Sequence, residues 1–80
     1  ILVYPRAAQL EGIYGKVYVE FIVGADGNLY DIKVIKGIGG GCDQEAIIAV
    51  LNAGRWFPAM KNGLPMDQKT VITISFRFEE

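Results

Sequence analysis

The stretch KVYVEFIVGADGNLYDIKVIK, residues 16–36, decides the fold. In its first half Val17, Val19, Phe21 and Val23 point to one side, and Tyr18, Glu20 and Ile22 to the other. A period of two is the pattern of a half-buried strand. Gly24-Ala25-Asp26-Gly27-Asn28 follows, a turn in which Gly and Asn tolerate positive φ. Alternation resumes from Leu29 to Lys36, with Tyr30, Ile32 and Val34 on one side. The two runs read as a β-hairpin. An even loop, either Asp26-Gly27 or Ala25 to Asn28, sets Phe21 opposite Ile32, Val19 opposite Val34 and Glu20 opposite Lys33. An odd loop without a bulge would turn the apolar residues to the wrong face.

Upstream, Tyr4 to Gly12 reads as a short helix, with Pro5 suited to the first helical position and Gly12 to the left-handed stop. Downstream, Gly37 to Gly41 is a flexible connection. Asp43 stands near the start of a second helix, and Gln44 and Glu45 place acceptors and negative charge in its first turn. Ala46, Ile47, Val50, Leu51 and Gly54 recur at helical spacing, and the helix is expected to end around Asn52 to Gly54. Trp56-Phe57-Pro58 reads as irregular, with Trp56 plugging the end of the core. Lys61 to Pro65 reads as a turn. The last strand runs from Thr70 to Phe78, with Ile72, Ile74, Phe76 and Phe78 on one face. Thr73, Ser75 and Arg77 lie on the other, and Val71 is the apolar exception there.

These elements predict an α+β fold: a three-stranded antiparallel sheet in the order two-one-three, a short N-terminal helix, and a longer helix packed on one face. Val17, Val19, Phe21, Ile32, Val34, Ile72, Ile74 and Phe76 lie beneath that helix. Burial of large apolar side chains, at roughly 1.5–3 kcal/mol each, is the dominant stabilising effect. The 80 residues make one domain, 1–80, with 51% apolar residues to fill its core. The chain begins at Ile1 rather than methionine, so it reads as a domain excised from a longer chain, with any anchor lying upstream.

Little here suits catalysis. There is no histidine for acid–base work or metal ligation. Ser75, the one serine, sits mid-strand without a base. Cys42 reads as a structural thiol, and a single cysteine makes no internal disulfide. The glycine run lacks the Lys-Ser/Thr ending of a phosphate loop. Asp26, Asn28 and Asp31 resemble the start of a calcium loop but lack its distal Glu. No catalytic residue, cofactor or metal is therefore expected. Formal charge is −1, with eight basic and nine acidic residues dispersed, so neither nucleic acid nor an anionic membrane surface is an expected partner. The longest apolar run, Ala46 to Leu51, is far shorter than a membrane span.

Taken in order, several pieces resemble the C-terminal domain of the TonB energy-transducer family. Tyr4-Pro5 with Ala8 resembles its opening Tyr-Pro-x-x-Ala. Gly15-x-Val17-x-Val19-x-Phe21-x-Val23 with Asp26-Gly27 resembles its first strand and turn. Val34-x-Lys36-Gly37 and Cys42-Asp43-x-Glu45-Ala46 resemble the second strand and the start of the long helix. Arg55-Trp56-x-Pro58, Asn62-Gly63-x-Pro65 and Phe76 complete a match over residues 4 to 78.

The resemblance implies a periplasmic module tethered to the inner membrane through an upstream segment. It implies that the module grips the TonB box, an extended segment of outer-membrane transporters, by strand addition, and that an inner-membrane motor supplies energy from the proton gradient. Carried onto this sequence, the gripping edge is Thr70, Val71, Ile72, Thr73, Ile74, Ser75 and Phe76, with Tyr4 and Pro5 as neighbouring contacts. An exposed edge strand supports that mechanism on physical grounds, since it is a template for another strand. Lys69 and Arg77 bracket the edge and leave Val71 to Ser75 uncharged. Two alternatives stay open. In the first, the edge is simply covered, by a terminal segment or by a second copy of the domain in a homodimer. Related domains also serve as sensor or interaction modules on other envelope proteins, including antibiotic-sensing membrane metallopeptidases.

Overall fold

The alternating run becomes the central strand of the sheet. In the computed structural model, which describes residues 2–78, β1 (Gly15–Val23) lies between β2 (Leu29–Lys36) and β5 (Gln68–Phe76), and both pairings are antiparallel. The other elements are α1 (Arg6–Glu11), α2 (Cys42–Leu51) and a separate two-stranded ribbon of β3 (Ala59–Lys61) and β4 (Leu64–Met66). The α+β architecture and the order two-one-three follow the sequence reading, with β5 as the third strand of the main sheet. That strand occupies Gln68–Phe76 rather than Thr70 to Phe78.

Val17, Val19, Phe21 and Val23 alternate into the core from β1, joined by Ala8, Cys42, Ala46, Val50 and Phe76. Ile32, Val34, Ile72 and Ile74 pack against this cluster while partly exposed. On α2 the buried stripe is Cys42, Ala46 and Val50, spaced by four residues. It is narrower than the expected stripe: Leu51 is exposed, and Gly54 lies beyond the end of the helix. Trp56 plugs the core as expected, its ring edge-on to Phe21 at 4.9 Å and its Nε1–H donating to the Val50 carbonyl at 3.4 Å.

The hairpin differs from the expected even loop. Gly24 N–H donates to Asn28 O at 2.8 Å, closing a loop of odd length, and Val23 pairs with Leu29 and Ile22 with Tyr30. The register then shifts between Glu20 and Ile22, where Asp31 adopts a positive φ of 53°. This bulge inserts one residue and restores Glu20 opposite Lys33 and Val19 opposite Val34. Its consequence is that Leu29 packs against the core while Tyr30 is exposed. Tyr30 and Ile32 do not share a face.

The β3–β4 ribbon was not expected, since Trp56 to Pro58 read as irregular and Lys61 to Pro65 as a turn. Asn62 and Gly63 both have positive φ, 53° and 79°, which is the two-residue hairpin turn that matches strand twist. Lys61 pairs with Leu64, and Met60 with Pro65, a proline tolerated because neither strand of the ribbon has a second neighbour among the described residues.

The glycine run serves packing. Gly40, at φ 63°, approaches α1 so closely that a Cβ there would lie 3.0 Å from the Ala8 Cβ and 2.8 Å from Ile13. Asp43 Oδ1 accepts from the N–H groups of Ile38 and Gly39 at 2.9 and 3.3 Å, clamping the run to the start of α2. A carboxylate thus occupies the loop that a phosphate would need. Burial, and secondarily the Asp43 charge, pushes the Cys42 thiol upward, so it stays protonated.

Candidate functional site

The sheet has one covered side of β5 and one open side. Toward β1, β5 is paired without interruption from Gly15 opposite Phe76 to Val23 opposite Gln68. Beyond β5, no strand pairs with it among the described residues. A strand in this position turns every second pair of backbone N–H and C=O groups away from its neighbour. Those groups form a row of unused donors and acceptors, and no charged side chain interrupts it between Lys69 and Arg77.

The side chains along the row alternate in exposure. Val71, Thr73 and Ser75 are exposed on the open face of the sheet, whereas Thr70, Ile72 and Ile74 are partly covered on the helix side. Phe76 is 2% exposed, so only its main chain is available to a partner. The helix-side positions are thus a threonine and two isoleucines, and the open-face positions a valine, a threonine and a serine.

At the far end of β5 the N-terminal segment is fastened by aromatic contacts. The Tyr4 ring meets Phe76 edge-on at 5.6 Å and stacks on Phe78 at 5.5 Å, while Tyr14 approaches Phe78 at 6.0 Å. The Tyr4 hydroxyl donates to Ile13 O at 2.5 Å, and Gln9 Nε2 donates to Tyr4 O at 2.9 Å. Burial raises the Tyr4 hydroxyl above its ordinary pKa, with a further contribution from Cys42, so the donor stays protonated.

An open groove of about 1120 Å³ follows, lined by Leu2, Tyr4, Gln9, Ser75, Phe76, Arg77 and Phe78. The fold thus brings Tyr4 to the end of the Thr70–Phe76 row. Pro5 is placed otherwise: its carbonyl accepts from Gln9 N–H at 3.1 Å, and its ring faces Gly41. Leu2, Gln9 and Phe78 are groove residues not singled out for this role in the sequence. The continued alternation Ile74, Phe76, Phe78 was the available signal for the last.

A second, shallower cleft lies between Ile22, Tyr30 and the hairpin loop, beside Asp26, Asp31 and Asp67. Asp26 is committed to the turn: it accepts from Asn28 N–H at 2.9 Å and from the Tyr30 hydroxyl. That hydroxyl, followed by Asn28, holds the Asp26 carboxyl below its usual range. Asp67 accepts from Ala25 N–H at 2.7 Å. These bonds give the loop acids a structural use.

The family model described as Gram-negative bacterial TonB protein C-terminal matches residues 2–78. Among curated proteins, Protein TonB from two strains of Helicobacter pylori is 41% identical over 56 residues, 69% of this chain and 20% of theirs. Protein TonB of Pseudomonas aeruginosa is 28% identical over 78 residues, 98% of this chain and 23% of its own length. The chain spans about a fifth of the length of these curated relatives. The solution NMR structure of the Helicobacter pylori TonB C-terminal domain matches with a TM-score of 0.76 at 34% identity, covering 99% of this chain and 71% of that one.

Proposed function

This chain belongs to the Gram-negative bacterial TonB protein C-terminal family, and from that premise we propose that it is the binding end of an energy transducer. Its β5 edge takes up the TonB box of an outer-membrane transporter as an added strand, in the periplasm. A segment upstream in the whole protein anchors it to the inner membrane and couples it to the motor that draws on the proton gradient.

The observation that carries this reading is the outer edge of β5, nine residues long, uncharged from Thr70 to Phe76, and paired with no other strand among the described residues. Main-chain bonding to such an edge recognises an extended peptide with little dependence on its sequence. Each new bond contributes only about 1 kcal/mol net, so the grip is modest and reversible. A strand pulled along its axis loads those bonds together. Force is then transmitted while the complex lasts, and release follows by dissociation.

The experiment is photo-crosslinking in cells from a reactive side chain at Thr73 in the full-length protein, with Ile48 on α2 as the control. Both positions are exposed. Crosslinks from Thr73 to an outer-membrane transporter, absent from Ile48, support strand addition. Crosslinks from Thr73 only to a second copy of the same protein would make the edge a dimer interface.

A further inference from the structure

The main sheet has two outer strands, and their backbones differ. β5 keeps one register with β1 over nine consecutive residues, from Gln68 to Phe76. β2 keeps no register with β1 for more than two: Leu29 and Tyr30 share one, Lys33 and Val34 a second, and Lys36 a third. At each shift the extra residue lies on β2. From Glu20 to Ile22 the facing strand runs from Lys33 to Tyr30, and from Tyr18 to Val19 it runs from Lys36 to Val34. The first insertion carries the positive φ of Asp31, 53°, and the second is Ile35.

An inserted residue bends its strand and takes its own N–H and C=O out of the alternating row. The outer row of β2 is therefore broken twice within eight residues. Charge adds to the break. Asp31, Lys33 and Lys36 are all exposed on β2, whereas β5 carries Lys69 alone. Lys33 is drawn back over the sheet to Glu20 at 3.3 Å. Asp31 and Lys36 make no ion pair among the described residues, and a strand approaching β2 would have to lie beside both.

We infer that Asp31, Ile35 and Lys36 close the β2 edge to strand pairing, so that the sheet is extended from β5 alone. A sheet open at both edges can join β5 of one copy to β2 of the next, a contact that never closes and grows into a chain. With β2 closed, each domain takes one strand, and copies that meet at their β5 edges stop at a dimer. Closure of β2 follows from its own backbone. That the one strand comes from a transporter rests on the strand-addition reading.

The register also says how to undo the closure. Deleting Asp31 and Ile35 leaves an unbroken ladder from Val23 opposite Leu29 to Tyr18 opposite Lys36, with Ile32 and Val34 still on the core side. The variant carrying both deletions and Lys36→Thr is compared with wild type by sedimentation velocity over a range of concentrations. Amide exchange is then followed by NMR with a capped peptide of alternating valine and threonine. Wild type should form nothing larger than a dimer, and the peptide should protect β5 amides but none on β2. The variant should sediment faster as concentration rises, past the dimer, and should gain peptide-protected amides on β2. If the variant keeps a folded spectrum, stops at a dimer and takes peptide on β5 alone, the insertions do not close the edge. Peptide protection along β2 in wild type would overturn the closure by itself, even where the variant fails to fold. If the peptide protects neither strand in wild type, the strand-addition reading falls, while chain growth by the variant still upholds the closure of β2.

Discussion

Tyr4 meets Phe76 edge-on, with ring centroids 5.6 Å apart and planes at 64°. The contact joins the first residues of the chain to the last turnless stretch of β5, although the two are distant in sequence. Both rings line the groove at the end of the edge. Tyr4→Phe should retain the ring contacts and lose only the hydroxyl bond to Ile13, giving a small fall in melting temperature. Tyr4→Ala should produce a clearly larger fall and release the near-ultraviolet signal of the aromatic cluster. Equal effects from the two variants would mean the hydroxyl bond, not the stacking, fastens the segment.

Phe21 is fully buried in the central strand and lies beneath Trp56. Phe21→Ala should destabilise the domain by about 3–5 kcal/mol, the range for emptying a large core site. Trp56 fluorescence should shift to the red in the variant before denaturant is added, since its ring loses its apolar floor. Urea unfolding with fluorescence detection measures both quantities.

Gly40 and Asp43 hold the connection between β2 and α2 from opposite sides. Gly40→Ala adds a Cβ at 3.0 Å from the Ala8 Cβ and forces a non-glycine residue into the left-handed region. A loss of about 1–3 kcal/mol is expected. Asp43→Ala frees two backbone N–H groups and should cost about 1–2 kcal/mol. Because both act on one loop, the double variant should lose less than the two losses added together.

The main sheet, its strand order and the buried face of β1 are legible in the sequence because Val17, Val19, Phe21 and Val23 alternate without interruption. The bulge at Asp31 is not, because either an even loop or an odd loop with a bulge brings Val19 opposite Val34. The β3–β4 ribbon is hidden for another reason. Most of its side chains are exposed, so no apolar alternation marks it, and only Asn62-Gly63 signals a hairpin. The edge was legible through topology: a third strand beside the first must have an outer side. The fastening of that edge by Tyr4 and Phe78 depends on a tertiary contact that spacing does not reveal.

The Asp26 carboxylate and the Tyr30 hydroxyl stabilise the hairpin loop within a defined pH window. The Asp26 carboxyl is held below its ordinary value by the Tyr30 hydroxyl first and Asn28 second. Its contribution is complete above the unfolded value of about 3.9 and is lost as pH falls through the lower folded value. The Tyr30 hydroxyl is raised, chiefly by its bond to Asp26. Its contribution is complete below the unfolded value of about 10 and is lost as pH rises through the folded one. Wild type should therefore exceed Asp26→Asn in stability at neutral pH, and the gap should close in strong acid. Urea unfolding at stepped pH tests this, and a gap independent of acidity would contradict it.

Backbone amide exchange along β5, followed by NMR on the isotope-labelled domain with and without TonB-box peptide, tests the central claim most directly. Strand addition predicts that alternate amides between Thr70 and Phe76 exchange rapidly in the free domain and become protected when peptide is bound. Alternate amides already protected by β1 should change little. If the outward amides are protected without peptide, or stay exposed while peptide shifts resonances elsewhere, β5 is not where the partner is held.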